Sequence, residues 1–321
     1  MISEATRKLL LVSKIKGVGK KTLLDLTADR LFYELPEAEL HSSIPELRGL
    51  IPGSAALSKA RIAVETDLEW AAKQDASILS PHDATYPHLL RKLKDRPPLL
   101  FVRGKPQNFS SKSVAIIGTR EPSAHGIVVA ERISKHFAGN GWQVISGLAI
   151  GLDTVAHRAA LESDGSTVAV LAHGLDTIYP KSNVSLAQRI LEQGGLLVSE
   201  YAYGTPSFPG HFVERDRIQA ALARGVIMVQ SGETGGSWHA SRAALDFGRW
   251  LIIPAPTAKD TTSQHPKSRG NYLIAEGTER EKLDVLGRDS AALRHVFVLR
   301  SREDYSDAEE RLLAGDGAVV V

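Results

Sequence analysis

The chain has no cysteine among its 321 residues. That excludes disulfides, cysteine-ligated zinc and a thiol nucleophile together, and it fits a reducing compartment, so the cytoplasm is the expected location. No apolar run approaches the roughly 18 residues that span a bilayer, and no basic stretch followed by an apolar one opens the sequence, so neither a membrane span nor a secretory leader is expected. No GxGxxG follows the first central strand, and its turn lacks the lysine and spacing of a P-loop, which leaves nicotinamide chemistry and ATP hydrolysis unsupported. With no recognisable metal cluster or paired-carboxylate motif either, no metal, cofactor or catalytic residue is expected. Neither sign of charge dominates, since the formal net charge is +2. Its placement is uneven: Arg7, Lys8, Lys14, Lys16, Lys20 and Lys21 face Glu4 alone at the front, while residues 278–321 hold seven Lys/Arg against ten Asp/Glu. Such a basic cluster serves either as a solvated face or as a nucleic-acid contact.

What the chain does have is concentrated in residues 113–153. The β-branched run Val114–Ile117 breaks at Gly118-Thr119-Arg120 and is followed by a helix-patterned segment. A second apolar run then ends in Ser146-Gly147-Leu148-Ala149-Ile150-Gly151-Leu152-Asp153. Strand, turn and helix thus occur twice. Small residues in both turns permit close approach of backbone, and each turn feeds a helix whose free N–H groups and positive dipole end attract phosphate. Asp153 is placed to cap the second helix.

Further strands are predicted at 143–146, 167–171, 196–199, 226–230 and 250–254, with helices at 126–138, 153–162, 184–193, 215–223 and 238–247. Strands alternating with helices give an α/β fold with a doubly wound, mostly parallel sheet, whose ligands bind beyond the carboxyl ends of the strands. Residues 113–277 form this core. Ahead of it, residues 1–72 read as a small helical domain, and residues 73–112 as a lead-in with a strand at 77–79 and the extended Pro97-Pro98 before another apolar strand. Residues 278–321 form an appendage or dimer arm, with apolar pieces at 296–299 and 318–321. Between the first two helices, Lys16, Gly17, Gly19 and Lys20 suit either a helix-hairpin-helix grip on nucleic-acid backbone or a plain helix–helix turn.

Three later turns add candidate chemistry. Tyr179, Lys181 and Asn183 offer a ring, a cation and an amide in one loop, as single-stranded nucleic acid requires, although Tyr179 equally suits a core position. Phe212 precedes Arg215 and Arg217. Two arginines two apart on a helix do not share a face, so one meets ligand while the other pairs with Asp216, Glu200 or Glu214. Finally, Gly235, Gly236 and Ser237 lead into a helix carrying Arg242, again a phosphate-ready shape.

Taken in order, these pieces resemble the DNA-processing protein A family, also called Smf. The matching residues are Tyr86-Pro87, Pro97-Pro98, Gly118-Thr119-Arg120, Ser146-Gly147 with Ala149, Gly151 and Asp153, and His157. They continue through Gly174, Asp176, Tyr179, Pro180, Asn183, Ser199-Glu200, Phe212, Arg215, Arg217 and Ile218, and end with Gly248-Arg249, Pro254, Asn271, Leu273, Ile274 and Gly277. The family usually has Ser at Thr119, Asn at Asp216, a Ser-Gly-Ser run at Gly235-Gly236-Ser237 and Pro-Gly at Pro254-Ala255. Its winged-helix tail is not legible in this chain. The resemblance implies a Rossmann-like domain that binds single-stranded DNA without catalysis and hands it to a RecA-type recombinase during DNA uptake, with a homodimer as the expected assembly. Arg120, Lys181, Arg215, Arg217, Arg242 and Arg249 would then supply charge, the turn N–H groups would hold phosphates, and Tyr179 or Phe212 would stack bases. The alternative is a sensor or N-glycosidase-like enzyme for a nucleotide derivative, in which Glu233 ahead of Gly235-Gly236, Ser237 and His239 stabilises an oxocarbenium-like state.

Overall fold

The computed structural model describes residues 2–47, 54–263 and 265–314. An amino-terminal group of helices comprises α1 (Glu4–Ser13), α2 (Lys20–Ala28), α3 (Arg30–Glu34), α4 (Leu40–Ser43) and α5 (Ser54–Lys73). The Ser3 side chain accepts the Thr6 N–H and so caps α1. There follow β1 (Ala76–Leu79), α6 (His88–Arg91) and β2 (Leu100–Arg103). The central repeat is β3 (Ser113–Ile117), α7 (Ala124–Gly139), β4 (Gln143–Ser146), α8 (Leu152–Glu162), β5 (Thr167–Val170), α9 (Val184–Glu192) and β6 (Leu196–Ser199). It continues as α10 (Pro209–Leu222), β7 (Gly225–Met228), α11 (Ser237–Asp246) and β8 (Trp250–Pro254). The chain ends through α12 (Ala258–Ser263), α13 (Arg269–Glu276), α14 (Glu279–Leu286), β9 (Val296–Leu299) and α15 (Tyr305–Ala314).

Among the described residues, nine strands form one sheet in the order β1-β2-β6-β5-β4-β3-β7-β8-β9. β1 pairs with β2, and β2 with β6, in antiparallel fashion, and the remaining pairs are parallel. From β3 the chain winds outward through β4, β5 and β6, then returns to the other flank of β3 for β7, β8 and β9. Strand order therefore reverses at β3, and a crevice opens there beyond the carboxyl ends of the strands.

The period-two alternation of the strands splits the core in two. Val114 and Ile116 face α7, α8 and α15 through Ile133, Phe137, Leu152, Ala156 and Leu312. Ala115 and Ile117 face the opposite layer with Ile218, Leu222 and Trp238. A third cluster joins Leu9–Val12, Leu23, Leu26 and Phe32 to Ile78, Phe101, Leu171 and Leu197, so the amino-terminal helices share apolar packing with the sheet. At the far end, Glu309 of α15 accepts from Trp142 Nε1 at 2.9 Å and is hydrogen-bonded to His136 Nε2 at 2.8 Å.

Strands β4, β6 and β8 run where the sequence pattern puts them, and the others shift by one or two residues. The larger difference is α10, which begins at Pro209 rather than near Arg215. Proline at a first helical position has its φ pre-set and loses no hydrogen bond, so the helix gains a turn and a half. Val296–Leu299 joins the main sheet as β9 beside β8. The apolar piece at 318–321 lies outside the described residues. Among the described residues, no helix is long and apolar enough to cross a membrane.

Candidate functional site

The turn leaving β4 is locked from several sides. Leu148 adopts a left-handed φ of 57° and Gly151 a φ of 82°, and for a non-glycine residue that conformation costs about 1–2 kcal/mol. Asp153 Oδ2 accepts the N–H groups of Gly147 at 3.1 Å and Ala149 at 3.4 Å. Asn183 Nδ2 donates to the Leu148 carbonyl and to Thr154 Oγ1, both at 2.8 Å. Ser146 Oγ donates to the Ile116 carbonyl at 2.7 Å. Arg215 completes the lock, donating from one terminal nitrogen to the carbonyls of Gly147 at 2.6 Å and Val170 at 2.5 Å, and from Nε to Asp216 Oδ1 at 3.0 Å.

The glycines of the two turns serve the same packing. A Cβ on Gly147 would stand 2.3 Å from the Arg215 guanidinium, and one on Gly118 would stand 2.3 Å from Leu152 Cδ1. The close approach inferred from the sequence is thus protein against protein. Two N–H groups expected to meet phosphate, those of Gly147 and Ala149, are bonded to Asp153 instead.

Beyond this turn lies a cleft of about 480 Å³ between the β3 exit, the β4 turn, α10 and the start of α11. It brings together Gly118, Thr119, Arg120, Ala149, Phe212, Arg215, Gly236 and Ser237 of the expected residues. The Arg120 guanidinium lies over the Phe212 ring, 5.2 Å from its centroid, and the Tyr179 ring is 5.9 Å from Phe212. Tyr179 is half exposed, as is Ile150, so it is not a core ring. At the start of α11, no side chain caps the helix, and the N–H groups of Gly235, Gly236 and Ser237 have no protein acceptor among the described residues. Across from them stands Lys267, paired with Glu121 at 3.0 Å.

Other expected contacts lie elsewhere. Arg249 is buried, and it donates to the carbonyls of Ala220, Ala221 and Ala223 and, at 3.0 Å, to that of Leu89. Arg242 donates to the carbonyls of Leu286 at 2.8 Å and Val285 at 3.0 Å, tying α11 to α14. Arg217 pairs with Glu200 at 2.5 Å and Asp95 at 3.5 Å. Both arginines of α10 are therefore held internally, where the spacing argument has one meeting ligand, and the early start of the helix carries both away from its amino end. Lys181 is exposed, forms no ion pair among the described residues and does not line the cleft. In the turn between α1 and α2, Gly17 takes a φ of 95° and Gly19 precedes α2, Lys16 is exposed, and Lys20 pairs with Glu200 at 2.9 Å. Glu233, central to the glycosidase-like alternative, pairs with Arg269 at 3.1 Å and lines a neighbouring depression rather than this cleft.

The sequence reading does not place Lys267, His239 or Gln219 in this cleft, which all three line. Lys267 belongs to no charge run. Its nearest signal is Asn271, whose Oδ1 accepts the Ser231 N–H at 2.9 Å and whose Nδ2 donates to the Val229 carbonyl at 2.9 Å, clamping the 266–271 segment against the β7 exit.

Burial dominates the electrostatics of the floor. It pushes the Asp216 carboxyl up to about 6 against the pull of Arg215, with the Asp153 charge adding to the rise. Asp153 is likewise pushed up by burial and held back by Arg215. Buried His157 falls to about 3 by desolvation, with Arg215 reinforcing the effect.

A doubly wound sheet with a cation- and ring-lined cleft at its switch point defines a Rossmann-like α/β protein. Residues 77–282 match the family described as DNA recombination-mediator protein A, and the chain belongs to that family. It is 35% identical over 233 residues to Protein Smf of Escherichia coli strain K12, a stretch covering 71% of this chain and 61% of that relative's length. Among solved structures it is similar to DNA processing protein A from Streptococcus pneumoniae, with a TM-score of 0.66 and 27% identity over 86% of this chain and 99% of the other. It is also similar to DNA processing protein A from Helicobacter pylori, studied for its single-stranded DNA binding mode, with a TM-score of 0.54 and 30% identity over 63% of this chain and 88% of the other.

Proposed function

We propose that the cleft at the β3 switch point binds single-stranded DNA and performs no chemistry on it. The observation that carries this reading is the joining, in one open crevice, of Arg120 on the Phe212 ring, the uncapped start of α11 and the exposed side chains of Ile150 and Val213. A cation and free N–H groups suit phosphate, while an accessible ring and apolar rim suit unpaired bases. The crevice continues past Gly232, Thr234 and Lys267 into a second depression of about 720 Å³ that holds Arg269 over the Tyr272 ring. Two adjoining cation-and-ring surfaces fit a polymer better than a mononucleotide. The Helicobacter pylori relative supports the same ligand.

Handover to a RecA-type recombinase, homodimer assembly, a cytoplasmic setting and a weaker backbone contact at Lys16, Gly17 and Gly19 belong to the same reading. Fluorescence anisotropy with oligonucleotides of increasing length tests it: affinity should rise with length and fall steeply with salt. Saturation by a mononucleotide with little salt dependence, or release of free base lost on Glu233→Gln, would favour the nucleotide-derivative alternative.

A further inference from the structure

The two adjoining depressions differ in how their cations are held. In the cleft, Arg120 lies over the Phe212 ring and forms no ion pair among the described residues. In the neighbouring depression the matching cation is already occupied. Arg269 lies over the Tyr272 ring, 5.2 Å from its centroid, and its Nε donates to Glu233 Oε1 at 3.1 Å. Glu233 sits between Gly232 and Thr234, which line both cavities, so this carboxylate stands at the passage from one to the other. The other titratable groups on the wall of the depression are engaged elsewhere. Lys267 pairs with Glu121, Asp260 is buried against Ser123 and Thr257, and His265 Nδ1 accepts the Lys267 N–H at 3.3 Å.

The Arg269–Glu233 pair is built to open. The two side chains are 50% and 53% exposed, and an ion pair so open to water is weak, so another anion displaces it at little cost. The contact runs through Nε, and the terminal nitrogens of Arg269 make no protein hydrogen bond among the described residues. A phosphate takes a guanidinium through two parallel N–H bonds, and the Tyr272 ring holds this guanidinium against the wall that a strand leaving the cleft would follow. Until a phosphate arrives, the Glu233 charge offsets that of Arg269.

We propose that Glu233 is a resident counter-ion that a phosphate of the bound single strand displaces, so that Arg269 makes a second phosphate contact where the strand leaves the cleft and Glu233 limits its strength. This inference rests on the single-stranded DNA reading above. The test is a double-mutant cycle with the oligonucleotide dT20 on the wild-type chain, Glu233→Gln, Arg269→Ala and the double variant, each shown folded by circular dichroism. Removing a competitor of this kind should tighten binding by about 2- to 5-fold. It should also steepen the fall of log affinity with log salt by up to about 0.7, because no freed carboxylate then takes up a counter-ion. Arg269→Ala should bind more weakly than wild type, and both gains should vanish in the double variant. Asp246→Asn, which frees Arg288 at the other end of α11, makes the same charge change away from both cavities and should bind as wild type does. Wild-type binding by Glu233→Gln or by Arg269→Ala, a gain that persists without Arg269, or an equal gain in Asp246→Asn overturns the inference and leaves the cleft itself to be judged by Arg120→Glu. Failure of dT20 to bind the wild-type chain overturns both.

Discussion

Asp153 Oδ2 sits 3.1 Å from the Gly147 N–H, and that contact decides what the turn after β4 does. A carboxylate from the first turn of α8 stands where a ligand anion would sit, so the turn positions the cleft instead of binding phosphate. Removing that carboxylate by Asp153→Ala orphans two buried N–H groups, which should destabilise the fold by about 2–3 kcal/mol. Asp153→Asn, which keeps an acceptor, should cost less. Denaturant melts of both variants check this, and a wild-type midpoint for the alanine variant would show that the turn needs no internal anion.

Arg217 tests the separation of scaffold from binding surface. Its guanidinium pairs with Glu200, which also receives Lys20 from α2, so Arg217→Glu should set two carboxylates against each other at the seam between the amino-terminal helices and α10. The expected result is a stability loss of about 3 kcal/mol, as for breaking a buried pair, with the salt slope of DNA binding unchanged. An unaltered melting midpoint combined with a flatter salt slope would put Arg217 on the DNA instead.

Much of this fold is legible in the sequence because the central strands are short β-branched runs bounded by glycine turns, and the pattern switches to helical spacing between them. Strand β9 was harder to place, since Val296–Leu299 is an isolated apolar piece whose partner, β8, is set only by the tertiary fold. The site was legible in part. Arg120 and Phe212 are found by their turn and helix start, and the loop 235–237 by its glycines. Arg215, Arg217, Arg242 and Arg249 are not distinguishable from ligand cations in sequence, because an arginine that bonds buried carbonyls is written with the same letter as one that meets phosphate. Lys267 was invisible because the Asn271 clamp that brings it to the cleft is a long-range contact.

Two groups near the cleft bend the stability curve in opposite directions. Asp216 has its folded value raised to about 6, so it binds more protons folded than unfolded between its ordinary value near 4 and pH 6, and stability falls as pH rises through that window. His157 has its folded value lowered to about 3, so its contribution is present above about 6.5 and is lost as pH falls toward 3. The two nearly offset each other between pH 4 and 6. Asp216→Asn should therefore be more stable than wild type at pH 8 by about 2–3 kcal/mol at most and should lose stability more steeply on acidification. Urea midpoints at pH 8 and pH 4.5 give the comparison, and parallel pH profiles for variant and wild type would contradict it.

The most direct test of the proposal that DNA binds in this cleft is the salt dependence of oligonucleotide affinity for wild type and Arg120→Glu. Arg120 is exposed, lies over the Phe212 ring and forms no ion pair among the described residues, so the variant should stay folded while losing a phosphate contact. The account predicts weaker binding and a plot of log affinity against log salt flattened by about 0.7 for each phosphate no longer neutralised. Wild-type affinity and slope for a folded Arg120→Glu, at both low and high salt, would mean that DNA binds elsewhere on this chain or not at all.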